Sequence, residues 1–184
     1  MKHPSSRAFF AYWDIQRGDA RAPERSDIEP SAIRELLGDI FVLSANEDCG
    51  YPFRVAGTRL CAMFSRDLKD ASFSELFSTE SRHEMEEIVA NVTADMLPAV
   101  AGVTATSERG MTAHLELLLL PFKGHAHEPI SLTGLLAPID ECHDVLSGLA
   151  LTSWRYLHPP EKIIPRVVRK LALARGFMVY EGLR

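Results

Sequence analysis

Cysteine is scarce in this sequence, and its three residues, Cys49, Cys61 and Cys142, form no CxxC motif. Three thiols cannot all pair, which argues against a disulfide framework and for a reduced, cytoplasmic setting. Long apolar runs are missing as well. None approaches the ~20 residues that a helix needs to span a bilayer, and Phe9-Phe10-Ala11-Tyr12-Trp13 stops at Asp14, too short for a secretory core. An excess of positive charge is also lacking. The net charge of -5 argues against general nucleic-acid binding, which needs a basic footprint. The sequence contains no Walker motif, no GxGxxG, no Gly-x-Ser-x-Gly elbow, no internal repeat and no low-complexity segment.

What is present is the make-up of a soluble globular protein. The chain has 184 residues, 46% hydrophobic and 24% charged, enough for one domain that buries roughly 70% of its unfolded surface. Charge is uneven. Residues 161–184 carry six basic side chains against Glu161 and Glu181, a net of +4, which leaves 14 basic and 23 acidic side chains, a net of -9, in the rest. An acidic body with a basic tail results.

Ser5 and Ser6 can cap a first helix over about residues 6–17, ended by Gly18. Its aromatics Phe9, Phe10, Tyr12 and Trp13 cover a face wider than one packing partner needs. A charged, proline-flanked loop and a short helix from Pro30 follow. Strands are expected at Ile40–Ser44 and Phe53–Ala56, then a small helix after Gly57. Met85, Ile88, Val89, Val92 and Met96 form the buried stripe of a helix from Thr79 to Met96, with Ser81 and Glu84 spaced as a capping box. Three strands follow, at about Ala99–Thr106, Thr112–Leu120 and Ile130–Pro138, with a further one at Leu149–Tyr156. From Pro165 to Gly176 the tail has the spacing of a basic amphipathic helix, Arg166, Arg169 and Lys170 opposite Ile164, Val167, Val168 and Leu171. The expectation is an α+β fold. It has an antiparallel sheet of about five strands with helices on one face, an N-terminal helix and a C-terminal helical tail. Its units are residues 1–29, a core of 30–140 and an extension of 141–184.

Tyr12-Trp13, the loop Pro23-x-Arg25-x-Asp27-Ile28-x-Pro30, Leu36-Leu37, Phe53-Arg54-Val55-Ala56-Gly57-Thr58 and Leu117–Pro121 resemble, in order and spacing, a single-domain PAS-like family known mainly from alphaproteobacteria. The resemblance covers roughly residues 8–138. It implies a PAS fold and a role in cytoplasmic signalling or regulation through an internal cavity, and it carries over no catalytic residue. One segment departs from the pattern. Where the family tends to have Gly-Arg-Glu-Leu-x-Gly, this chain has Ser65-Arg66-Asp67-Leu68-Lys69-Asp70, without either glycine that would take positive φ freely.

Candidate ligand contacts follow from strand alternation. His114 and Glu116 share a face with Leu118 and would become polar anchors if that face lined the cavity together with Met85 and Val89 of the long helix. The alternative is that both point to solvent. Arg54 is a third polar candidate, with an Arg54–Glu116 ion pair as its structural reading. Arg25 and Asp27 in the proline-flanked loop fit a clamp of the first helix onto the sheet, with a partner contact as the alternative. The cofactor is unknown, and the residues argue against two familiar ones. His83 sits opposite the buried stripe of its helix, which argues against haem, and Cys61 in Arg59-Leu60-Cys61-Ala62 lacks the flavin-photosensor context. His125-x-His127 reads as an exposed turn, with no second cluster to complete a zinc set, and Cys142-His143 says little about geometry.

The leading expectation is a regulatory module without its own output domain that binds a small ligand, a signalling protein or both. Its interaction surfaces would be Phe9, Phe10 and Trp13 on the first helix, which could carry a homodimer, and Arg166, Arg169 and Lys170 on the tail. An alternative is a ligand-independent adaptor whose cavity is filled by Phe53, Phe64, Phe73, Phe77, Met85 and Met96. A third reading, an enzyme with His114 and Glu116 as acid and base, needs those side chains to meet in a cleft.

Overall fold

Alternating and continuous apolar runs build six strands into one antiparallel sheet. The structure, a computed structural model, describes residues 1–44, 49–123, 131–140, 144–157, 168–174 and 177–182. The strands are β1 (Ile40–Ser44), β2 (Phe53–Ala56), β3 (Ala99–Ser107), β4 (Thr112–Pro121), β5 (Ser131–Pro138) and β6 (Leu146–Tyr156). Their order is β2-β1-β5-β4-β3-β6, so β2 and β6 are the edges. β6 pairs with β3 from Ser107↔Leu146 to Ala99↔Tyr156 and belongs to the same sheet as the core strands, beyond the expected boundary at residue 140.

Helices cover both faces of this sheet. α1 (Pro4–Arg17) lies on one, while α2 (Thr58–Met63) and α3 (Thr79–Asp95) lie on the other. Leu118 and Leu120 pack with Phe9, Trp13, Val100 and Leu135 on the α1 side. Leu115, Leu117 and Leu119 pack with Phe41, Phe73, Met85 and Val89 on the α3 side. Two-sided burial explains why β4 reads as an unbroken leucine run and not as a clean alternation. The expected helices on one face are α2 and α3, and the expected separate N-terminal helix, α1, takes the other.

Local caps differ from those expected. His3 is the N-cap of α1, its Nδ1 accepting the Ser5 N–H at 3.2 Å, while Ser6 is buried. Gly18 closes the helix at φ 54°, the left-handed region that glycine enters without strain. The Trp13 indole N–H donates to the Pro121 carbonyl at 2.9 Å, pinning the middle of α1 to the end of β4. On α3 the N-cap is Ser78, and Ser81 and Glu84 form no capping box. Both instead reach β6. Ser81 Oγ accepts the Leu151 N–H at 3.0 Å, and Glu84 Oε1 accepts the Trp154 indole N–H at 2.7 Å.

The tail is not a helix where it is described. β7 (Val168–Ala174) and β8 (Phe177–Gly182) pair antiparallel as a separate two-stranded sheet. A short apolar stretch such as Leu171-Ala172-Leu173 fits either period. The adjacent Phe177-Met178-Val179-Tyr180, rich in strand-forming residues, supplies a pairing partner that the helical reading did not count.

The segment that departs from the family pattern keeps a glycine-like backbone. Ser65 has φ 51° and Asp70 φ 63°, the two positions where the pattern has glycine. A non-glycine residue pays about 1–2 kcal/mol in that region, with Asp tolerated better than most.

Candidate functional site

Two regions carry the polar and aromatic residues that could serve function, one on each face of the sheet. Between the sheet and α2/α3 lies an aromatic cluster. Phe41 stacks on Phe73 at 5.4 Å between ring centroids, Phe53 meets Phe41 edge-on at 5.5 Å, and Phe77 meets Phe73 edge-on at 5.3 Å. All four rings are buried, together with Met85, Val89 and Phe64. Gly134 of β5 makes room for this arrangement, because a Cβ there would strike the Phe41 ring. Of the six side chains expected to fill this space, Met96 is the exception, packing on the α1 side.

On the α1 side a cleft of about 610 Å³ opens where β3, β4 and β6 meet the first residues of the chain. His114, Glu116, Gly102, Ser153, Arg155 and Lys2 are among its lining residues. His114 is exposed, whereas Glu116 is only 6% exposed. Both Glu116 oxygens are engaged. Oε2 accepts the Lys2 N–H at 2.6 Å and Oε1 accepts the His3 N–H at 3.0 Å. Burial alone would raise the Glu116 carboxyl. The Lys2 N–H, the dipole of the buried Ser6 hydroxyl, which makes no hydrogen bond of good geometry, and the His3 N–H outweigh that and hold it below the ordinary carboxylate value. Glu116 thus ties the start of α1 to the centre of the sheet.

The expected ligand set therefore does not converge. His114, Glu116 and Leu118 share a face, as alternation required, but that face meets α1, while Met85 and Val89 lie on the opposite side. Leucines on both sides of β4 leave the sequence without a signal for which face meets which helix. Arg54 is exposed on edge strand β2, separated from β4 by β1 and β5, so no Arg54–Glu116 pair forms. His114 and Glu116 do line one cleft, and each Glu116 oxygen there accepts one backbone N–H.

The expected surfaces also change. Phe9 and Trp13 are 1% and 0% exposed and pack against the sheet, and Phe10 stacks on Trp13 at 5.9 Å, so the aromatic face of α1 is used within the chain. Arg169 and Lys170 lie on β7 and not on a helix, and Arg166 lies outside the described residues. The same holds for His125, His127, Cys142 and His143. Asp27 caps its own turn, Oδ2 accepting the Glu24 N–H at 2.8 Å. His83 is exposed and faces Glu87 at 3.4 Å, and Cys61 is half-buried. Among the described residues no three metal-ligating side chains cluster, and no helix is long and apolar enough to cross a membrane.

One clamp escaped the sequence reading. Asp39, just before β1, is 7% exposed and takes a forked contact from Arg59 of α2, with Nε to Oδ1 and the terminal nitrogen to Oδ2 both at 2.7 Å. The same terminal nitrogen donates to the Glu35 carbonyl at 2.7 Å. The Asp39 carboxylate, through that hydrogen bond and its charge, raises the Arg59 pKa further. A Cβ at Gly57 would collide with the Leu37 and Gly38 carbonyls, so glycine is what lets α2 start against this turn. Only the arginine's place directly after the Phe53–Thr58 block pointed to this corner.

The chain is similar to one protein family and to several solved structures. A family model described as PAS_5, a PAS domain, matches residues 1–137. No curated protein matches the chain. Among solved structures, the PAS domain from Bordetella pertussis BvgS is 17% identical, with 60% of this chain and 86% of that one covered at a TM-score of 0.44. The PAS domain of an HTR-like protein from Haloarcula marismortui is 15% identical, covering 59% and 90% at 0.42. The blue-light photoreceptor Aureochrome1 LOV in its light state is 9% identical, covering 60% and 88% at 0.45.

Proposed function

We propose, from the premise that this chain belongs to the PAS-domain family, that it is a cytoplasmic regulatory module acting through contact with a partner protein, with its helix-facing interior closed by its own side chains. PAS domains are a sensory module family, and a module of this kind passes its signal on through surfaces. The observation that carries the closed-interior reading is the cluster of Phe41, Phe53, Phe73 and Phe77, whose rings touch one another and are all at most 2% exposed. Aromatic rings in edge-on and offset contact at these separations fill space at interior density.

A partner would meet other surfaces than the aromatic side of α1. Ile15 at 76% exposed and Trp154 at 38% are apolar side chains open to solvent. A second copy of the chain is one candidate partner, and a separate signalling protein is the other.

The test is mass spectrometry of the freshly purified protein under native and denaturing conditions. Equal masses per chain are expected. An extra mass lost on denaturation, and retained when the cleft residue Arg155 is replaced by Ala, would replace this reading with that of a sensor holding a tightly bound ligand in its interior.

A further inference from the structure

The α1-side cleft has the make-up of a binding site. Its floor is β3 at Gly102, which lies opposite Glu116 on one side and Ser153 on the other. A Cβ at Gly102 would sit 3.0 Å from Thr152 Oγ1 and 3.1 Å from Ser153 Oγ, so glycine is what lets these two hydroxyls come close over the strand. Val100 and Ile139 add apolar lining. A volume of about 610 Å³ suits a small molecule.

Charge in the cleft has a sign. Glu116 is almost wholly buried and each of its oxygens accepts an N–H, so its charge is solvated inside the fold and not on the open surface of the cleft. Among the described residues, the exposed charged side chains of the lining are Lys2 and Arg155, against Asp140. Lys2 stands on the α1 side and Arg155 on edge strand β6, with the glycine floor between them.

We infer that this cleft binds a small organic anion, a carboxylate or phosphate monoester on a compact apolar body, held between Arg155 and Lys2. The planar guanidinium can grip either headgroup with two parallel hydrogen bonds. Lys2 belongs to the segment that Glu116 fastens to the sheet, so an occupant bridging Lys2 and Arg155 tightens the docking of α1 and couples ligand level to that surface.

The test is a titration of the isotopically labelled full chain, followed by amide resonances at constant ionic strength. The probes are benzoate and phenyl phosphate, with benzyl alcohol as the neutral match. Saturable shifts at Gly102, Ser153 and Arg155 are expected with at least one anion and not with the alcohol, and the tighter anion identifies the headgroup. Arg155→Ala should weaken the apparent Kd roughly tenfold. Lys2→Ala, at an exposed position, should weaken it too with an unchanged Tm, which covers any folding defect in the β6 variant. Absence of saturation with both anions, equal shifts from benzyl alcohol, or unchanged affinity in both variants would overturn the inference. These readouts do not depend on whether a ligand co-purifies in the interior, so this inference and the closed-interior reading can fail separately.

Discussion

Glu116 Oε2 accepts the Lys2 backbone N–H at 2.6 Å across 114 residues of chain. With the His3 N–H on its other oxygen, this carboxylate fastens the first turn of α1 to the middle of β4. The rest of α1 is held by burial of Phe9 and Trp13, and the helix start therefore depends most on one charge.

Replacing that charge should loosen the helix start without unfolding the domain. Glu116→Gln is expected to lower stability by about 1.5–3 kcal/mol, the range for hydrogen bonds to charged groups, and to speed amide exchange in the first turn of α1. The folded carboxyl lies below its ordinary value, so its contribution is complete above the unfolded value of about pH 4.3 and fades as pH falls through the lower folded value. Urea unfolding at pH 7 and in the acid range should show wild type and variant converging as the carboxyl protonates. Parallel curves would mean that Glu116 is not the latch.

The Arg59–Asp39 fork predicts an asymmetric response to substitution. Arg59→Ala should cost about 1.5–3 kcal/mol, because nearly buried Asp39 loses both donors. Arg59→Lys should recover little, since an ammonium cannot reproduce the fork. Chemical denaturation of the two variants decides this. Full rescue by lysine would show that charge alone matters at this corner.

The loop after α2 predicts gains. Ser65→Gly should raise stability by up to about 1 kcal/mol by relieving positive φ, and Asp70→Gly by less, since Asp enters that region more readily. Thermal melts of the single variants check the sign and the order. A loss at both positions would mean that these side chains contribute more than their backbone strain costs.

Most strand positions were legible because β-branched and apolar runs are bounded by turn residues, as at Phe53–Ala56 and around Gly110. The alternation of His114, Glu116 and Leu118 was legible too. Which helix their face meets was not, because Leu115, Leu117 and Leu119 are as apolar as Leu118 and Leu120, and either face could have been the inner one. The aromatics of α1 exceed the needs of a single helical partner because they cover the second face of the sheet, which the helix's own spacing does not reveal. The Arg59–Asp39 and Glu116–Lys2 contacts join residues 20 and 114 apart, and no local pattern encodes such pairs. In the tail, Ile164, Val167, Val168 and Leu171 have helical spacing opposite Arg166, Arg169 and Lys170, and that periodicity carries no sign of the pairing of β7 with β8.

The closed interior is tested most directly by xenon, which enters dry apolar cavities and shifts the methyl resonances that line them. The account predicts only weak, non-saturating shifts at Val89, Leu117, Leu119 and Met85 as xenon pressure rises. Saturable shifts confined to these methyls would reveal an open cavity between the sheet and α3 and contradict it.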